Sequence, residues 1–120
     1  MKNILFYSPD LNLCASLMMF FGDRYLVTTS TNIEAIEQIA NSVAFDLLIL
    51  DAEPDKSLAE LCKKINKSEN PVPIILTYVY TSKFRDMESN LKNYIEAIFY
   101  KPFELNEVSQ KIDKLLVQLA

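Results

Sequence analysis

The chain of 120 residues contains no histidine, no tryptophan, a single glycine and two cysteines. The lack of histidine removes the commonest metal ligand and general base, and with it the usual hydrolase triads. Cys14 and Cys62 lie far apart in apolar segments, so we expect reduced core thiols. We see no leader peptide and no apolar run of membrane-spanning length, which predicts a cytoplasmic chain that does not enter a membrane.

Charge is also limited. Twelve basic and sixteen acidic residues give a net charge of −4, and the basic residues are scattered. Without a basic stripe to neutralise phosphates, direct nucleic-acid binding is not expected, and an anionic membrane surface is an equally poor partner. Half of the residues are hydrophobic, so residues 1–120 fit one globular domain.

Short apolar runs alternate with amphipathic segments along the whole chain. The runs predict five strands, at 3–7, 25–29, 45–50, 72–76 and 97–100. The first helix is predicted to begin with Ser8 as N-cap, Pro9 at the first helical position and Asp10 in the first turn, and to end at Gly22 in a left-handed conformation. Its expected buried stripe is Leu11, Cys14, Leu17, Met18 and Phe21.

Four further helices are predicted in the segments that follow the other strands. Thr31 and Glu34 form a capping-box pattern that opens the second helix. The third and fourth helices are expected at about 58–67 and 82–93. The last carries its apolar residues at Leu105, Val108, Ile112, Leu115 and Leu119. This alternation predicts an α/β protein with a parallel sheet and helices on both of its faces.

In such sheets, chemistry gathers beyond the carboxyl ends of the strands. Three reactive groups follow three different strands: the carboxylate of Asp51, the hydroxyl of Thr77 and the ammonium of Lys101. A carboxylate can act as the nucleophile that forms an acyl phosphate. The hydroxyl and the ammonium can contact and neutralise phosphoryl oxygens. Together they form a phosphoryl-accepting set, although Asp51 paired with Lys101 and a strand-ending Thr77 would also be an ordinary structural arrangement.

The stretches FDLLILD, ending at Asp51, PVPIILT, ending at Thr77, and YKPFELNEVSQKIDKLL carry a resemblance that covers essentially the whole chain. They resemble the response-regulator receiver family. The resemblance implies a flavodoxin-like, doubly wound sheet of five parallel strands in the order 2-1-3-4-5 with five helices. It also implies that Asp51 accepts a phosphoryl group from a histidine kinase or phosphotransfer protein, that Thr77 binds this group and moves, and that Lys101 pairs with it before a cis peptide bond to Pro102.

The chain departs from the family pattern at four positions. Ser8 and Pro9 stand where the family has two adjacent acidic residues that hold a magnesium ion. Tyr78 replaces the usual small residue after the threonine. Ile98 replaces the aromatic residue that changes rotamer on activation.

These departures weaken the expected metal site, which we predict to bind Mg²⁺ weakly or not at all. Without the acidic pair, Asp51 and Lys101 leave a net charge near zero, and one missing charge at roughly 4 Å removes on the order of 4 kcal/mol of attraction. Asp10 and Glu53 are the two carboxylates that can compensate as metal ligands beside Asp51. Alternatively, Asp10 complements the helix dipole and Glu53 is simply solvated.

Two functions from different classes remain open. The first is a phosphorylatable receiver that signals to a downstream protein partner, an output domain or a second copy of itself. It would not be an enzyme beyond aspartyl phosphotransfer and autodephosphorylation. The second is a pseudo-receiver, a protein-interaction module that works without phosphorylation. Lys83 and Arg85 on the fourth helix are a candidate partner face, or else a solvated one. A flavin or nucleotide carrier is disfavoured, because the SPDLN loop offers few amides for phosphate.

Overall fold

Five parallel strands form one sheet in the computed structural model, which describes residues 1–117 of the chain. The strands are β1 (Asn3–Tyr7), β2 (Leu26–Ser30), β3 (Leu47–Asp51), β4 (Ile74–Tyr78) and β5 (Ala97–Tyr100). Their order is β2-β1-β3-β4-β5, and every neighbouring pair is parallel. The predicted flavodoxin-like architecture is therefore confirmed, and it places the ends of β1, β3, β4 and β5 at a common edge.

Five helices cover the two faces of the sheet: α1 (Leu11–Phe21), α2 (Ile36–Ser42), α3 (Lys56–Asn66), α4 (Arg85–Leu91) and α5 (Leu105–Val117). Buried residues of α1 and α5 pack on one face, and buried residues of α2, α3 and α4 pack on the other. All five residues of β3 are buried, because this central strand is covered on both sides. The last predicted helix residue, Leu119, lies outside the described residues.

The start and end of α1 differ from the prediction. Asp10, not Ser8, is the N-cap, and its side chain accepts from the amides of Asn12 and Leu13. Gly22 is right-handed, with φ −61°, so its role is not a left-handed turn. A Cβ at Gly22 would lie 2.6 Å from the carbonyl oxygen of Met18, and this close approach explains the glycine.

Two residues of the predicted α1 stripe do not reach the core. Leu11 is 72% exposed and Met18 is 44% exposed, whereas Cys14, Leu17 and Phe21 are buried as expected. Helical spacing therefore predicted a stripe wider than the contact that α1 makes with the sheet. No residue of α1 carries a charge, so its outer face is an uncharged and partly apolar surface.

Several element boundaries also shift by one to three residues. The second helical segment begins as a 3₁₀ turn capped by Asn32, so the Thr31 capping box is wrong. The fourth likewise begins with a 3₁₀ turn, Ser82–Phe84, before α4.

Both cysteines are buried and free, as expected. Within the described part of the chain, no helix has the length and apolar character needed to cross a membrane.

Candidate functional site

Asp51 is the centre of a buried hydrogen-bonded cluster at the carboxyl edge of the sheet. Only 5% of the accessible surface of Asp51 is exposed to solvent. Its Oδ1 accepts a hydrogen bond from Thr77 Oγ1 at 3.1 Å. The Lys101 ammonium lies 3.1 Å from Oδ1 and 3.3 Å from Oδ2, so it bridges both oxygens. The structure thus brings together the three residues that the sequence singled out.

The sheet register explains why these side chains meet. Asp51 is the last residue of β3 and stands directly beside Thr77 of β4. The amide of Ala52 donates to the carbonyl of Thr77 at 3.1 Å, which extends the pairing of the two strands past Asp51. Lys101 follows β5 directly, and the peptide bond that joins it to Pro102 is cis. Three strand ends therefore hold the three groups in place.

Ser8 supplies a fourth contact that the sequence did not predict. Its Oγ donates to Asp51 Oδ2 at 2.6 Å and accepts from the amide of Asp10 at 3.0 Å. Ser8 is fully buried, because it turns toward the strand ends instead of capping α1. Both carboxylate oxygens of Asp51 are consequently satisfied by neutral hydroxyls and one ammonium. A charge-assisted bond of this length is strong.

The two candidate compensating carboxylates have different positions. The Asp10 side chain is occupied as the N-cap of α1. Glu53 is exposed and lines the same crevice as Asp51 and Lys101. Among residues 1–117, no three histidine, cysteine, aspartate or glutamate side chains lie close enough to hold a metal ion together. Since Mg²⁺ requires oxygen ligands in nearly octahedral geometry, the side chains in this arrangement do not fit a magnesium site.

A wide crevice of about 810 Å³ opens over Asp51, and its wall includes Pro9, Glu53, Lys83 and Lys101. The negative charge of Asp51 contributes to raised pKa values of two neighbouring side chains, Tyr7 and Cys14. Burial is the main cause that raises the pKa of Tyr7, and the charge of Asp51 is the next largest. Burial also raises the pKa of the Cys14 thiol, and Asp10 and Asp51 add to the rise. Both groups therefore stay neutral at pH 7.

Tyr78 and Ile98 lie on the face of the sheet that α2, α3 and α4 cover. The Tyr78 ring is buried and packs edge-on against Phe84 and Tyr100. Its hydroxyl donates to Glu88 Oε1 at 2.5 Å. Ile98 is half-buried and packs in the core on the same side of the sheet. Glu88 was not singled out from the sequence as a site residue, and the tyrosines at the ends of two neighbouring strands, Tyr78 and Tyr100, are the signal that could have indicated its burial.

The outer surface beside α4 is both cationic and aromatic. Lys83 and Arg85 are exposed at the start of α4, and the Lys83 ammonium lies 4.9 Å from the centre of the Phe84 ring. Tyr80 and Tyr100 are exposed and pack against each other, with ring centres 5.2 Å apart. The proposed partner face at Lys83 and Arg85 is thus open to contact.

Comparison with solved structures shows extensive similarity. A two-component response regulator from Clostridium difficile has a TM-score of 0.82 and 21% identity, with 99% of this chain and 98% of that chain covered. The receiver domain of the TMAO respiratory system response regulator TorR has a TM-score of 0.82 and 23% identity over 100% of both chains. A response regulator receiver modulated diguanylate cyclase from Pelobacter carbinolicus has a TM-score of 0.77 and 25% identity, covering 98% of this chain and 94% of that one.

No family model matches the sequence, and no curated protein matches it. The structural similarity extends over essentially the full length, and the strand order is that of receiver domains. The chain therefore has the receiver-domain fold of response regulators.

Proposed function

We propose that this chain is a signal-receiving module of two-component pathways, in which Asp51 accepts a phosphoryl group and the surface beside α4 passes the signal on. The observation that carries the proposal is the convergence of Thr77 Oγ1 and Lys101 Nζ, each 3.1 Å from Asp51 Oδ1. The donor would be the phosphohistidine of a histidine kinase or a phosphotransfer protein. The recipient would be a downstream protein, an output domain or a second copy of the chain.

The cluster contains the acceptor oxygen and two groups that can contact the phosphoryl group, and solvent supplies the proton that the donor takes up. An oxygen of Asp51 attacks phosphorus, an O–P bond forms, and the P–N bond of the donor breaks, so that the imidazole leaves and takes up a proton. Lys101 offsets the negative charge on the transferred phosphoryl group, and the Thr77 hydroxyl donates to one of its oxygens. Beyond this transfer and the hydrolysis of the resulting acyl phosphate to carboxylate and inorganic phosphate, we assign no enzymatic activity.

Ser8 favours a second candidate, a pseudo-receiver that binds partners without phosphorylation. Its hydroxyl occupies Asp51 Oδ2 at 2.6 Å, in the place where the family resemblance implies a metal-binding carboxylate. An attack by Oδ2 must first break this bond, and among the described residues Lys101 alone supplies positive charge to draw two anions together. We therefore expect phosphorylation of Asp51 to be slow and incomplete.

Intact-mass measurement after incubation with a small acyl-phosphate donor tests both candidates. We expect slow, substoichiometric addition of one phosphoryl group to the parent chain and none to Asp51→Ala. Labelling of Asp51→Ala at the parent rate would refute the assignment of Asp51. Fast labelling of the parent to completion would refute the charge argument.

The Ser8→Asp variant restores one acidic residue of the expected pair and sharpens this test. With Mg²⁺, we expect its labelling to be at least about tenfold faster than that of the parent, since one added charge near 4 Å is worth more than 1.4 kcal/mol. Mg²⁺ should also raise its thermal midpoint, because the ion relieves repulsion between two buried carboxylates. Ser8→Ala is the matched control, since it loses the hydrogen bond but gains no charge. If Ser8→Asp also remains unlabelled, the pseudo-receiver function is favoured.

A further inference from the structure

Glu88 on α4 is a second buried carboxylate, 6% exposed and close to the end of the same sheet. Its Oε1 accepts hydrogen bonds from the hydroxyls of Tyr78, at 2.5 Å, and Tyr100, at 2.6 Å. Its Oε2 lies 3.8 Å from the ammonium of Lys92, whose side chain is 62% exposed. Because water screens the lysine, the two tyrosine hydroxyls are the main support of this buried charge.

Glu88 and Asp51 are connected twice, each time through two consecutive residues of one chain segment. On β4, Thr77 contacts Asp51 and the next residue, Tyr78, contacts Glu88. At the end of β5, Tyr100 contacts Glu88 and the next residue, Lys101, contacts Asp51. Tyr78 and Tyr100 are register partners across the two strands, so the two connections run side by side.

We propose that Glu88, Tyr78 and Tyr100 form a latch that makes the attachment of α4 depend on the charge state of Asp51. A change in the charge of Asp51 alters the hydrogen bond that it accepts from Thr77 and its ion pair with Lys101. Each of these residues is one peptide unit from a tyrosine that anchors Glu88. Ile98, the position at which the family resemblance implies an aromatic switch, has no polar group to take part. The latch rests on the proposed function only in treating Asp51 as the residue whose change is transmitted. The latch itself does not require phosphate.

The packing around the latch leaves little room for a change to be absorbed locally. Tyr78 is buried between the rings of Phe84 and Tyr100, and Thr77 is buried within the sheet. The amide of Lys101 donates to the carbonyl of Tyr78 at 2.8 Å, so the two connections are also tied to each other. Densely packed elements of this kind shift between discrete arrangements and do not deform gradually.

Hydrogen exchange of the α4 amides, residues 85–91, measures the coupling in the full chain. Asp51→Asn is compared with its parent, first in the native background and then in the Tyr78→Phe/Tyr100→Phe background. We expect Asp51→Asn to change the exchange rates of the α4 amides by at least about threefold in the native background. In the background without the two tyrosine hydroxyls, we expect a change of less than about 1.5-fold. An equal change in both backgrounds, or no change in the native one, would overturn the proposal.

Two further variants keep the test decisive. Tyr94→Phe is the matched control, because Tyr94 is a half-buried tyrosine whose hydroxyl forms no hydrogen bond within residues 1–117, and the response to Asp51→Asn should survive it. If Asp51→Asn does not fold, Thr77→Val breaks only the β4 connection and should give the same background-dependent change. Because no phosphate is used, failure of labelling at Asp51 and failure of the latch are read in separate experiments.

Discussion

Replacing Lys101 by methionine removes the only ammonium that contacts Asp51 among the described residues, while keeping a long apolar side chain. The Nζ atom lies 3.1 and 3.3 Å from the two carboxylate oxygens. At an effective dielectric near 20, a pair at this distance is worth about 5 kcal/mol. The lysine side chain is 32% exposed, so water reduces this value, and we expect the variant to lose about 2–3 kcal/mol of unfolding free energy.

Urea unfolding at pH 7, followed by circular dichroism, measures this loss. With a slope of about 1–3 kcal/mol per molar urea, the midpoint should fall by about 1–2 M. The double variant Asp51→Asn/Lys101→Met should lie within about 1 kcal/mol of the parent, because it leaves no unpaired buried charge.

Lys92→Met provides the matched control for the same change at the second carboxylate. The Lys92 ammonium lies farther from its partner, at 3.8 Å from Glu88 Oε2, and is well exposed. We expect a loss below about 1 kcal/mol. Equal losses for Lys101→Met and Lys92→Met would refute the reasoning, since they would mean that the shorter distance and lower exposure of the Lys101 ammonium do not strengthen its ion pair.

Two further predictions concern pH and packing. Burial alone would raise the pKa of Glu88, but hydrogen bonds from Tyr100 and Tyr78, with Lys92, lower it below its ordinary 4.5. The unfolded chain then binds more protons, so the stability from Glu88 is present above about pH 4.5 and is lost as pH falls through the lower folded value. The stability difference between parent and Glu88→Gln should therefore shrink in acid, and a difference independent of pH in urea titrations would contradict this. Leu48→Ala, in the buried centre of β3, should cost about 3 kcal/mol in the same assay, whereas Leu26→Ala, at a 54% exposed position on edge strand β2, should cost less than about 1 kcal/mol; similar losses would contradict the assigned burial.

Much of the fold could be predicted because the pattern along the chain is local. Strands β1 and β5 begin and end where the apolar runs do, and alternation of strand and helix predicts a parallel sheet. Three site residues could be named for the same reason: strand ends meet at one edge, so Asp51, Thr77 and Lys101 had to lie near each other.

The remaining features depend on partners distant in sequence. Serine is a residue type that often caps helices, so the sequence predicts this role for Ser8. Its hydroxyl instead donates to Asp51, which lies 43 residues away in the sequence. Glu88 looks like one more charge on a polar helix until Tyr78 and Tyr100 are placed beneath it. Leu11 and Met18 satisfy helical spacing but lie beyond the part of α1 that touches the sheet. Local pattern indicates which face of a helix is apolar, and tertiary packing decides how much of that face is covered.

The contacts of Asp51 are all made across long stretches of sequence: 43 residues to Ser8, 26 to Thr77 and 50 to Lys101. During synthesis, the cluster cannot close until β5 and the lysine after it have left the ribosome. Long-range contacts of this kind form late in folding, because the entropy of closing large loops must be overcome first. A chain truncated before Lys101 would therefore lack the completed cluster. The cluster can form only after the chain has been made as far as Lys101.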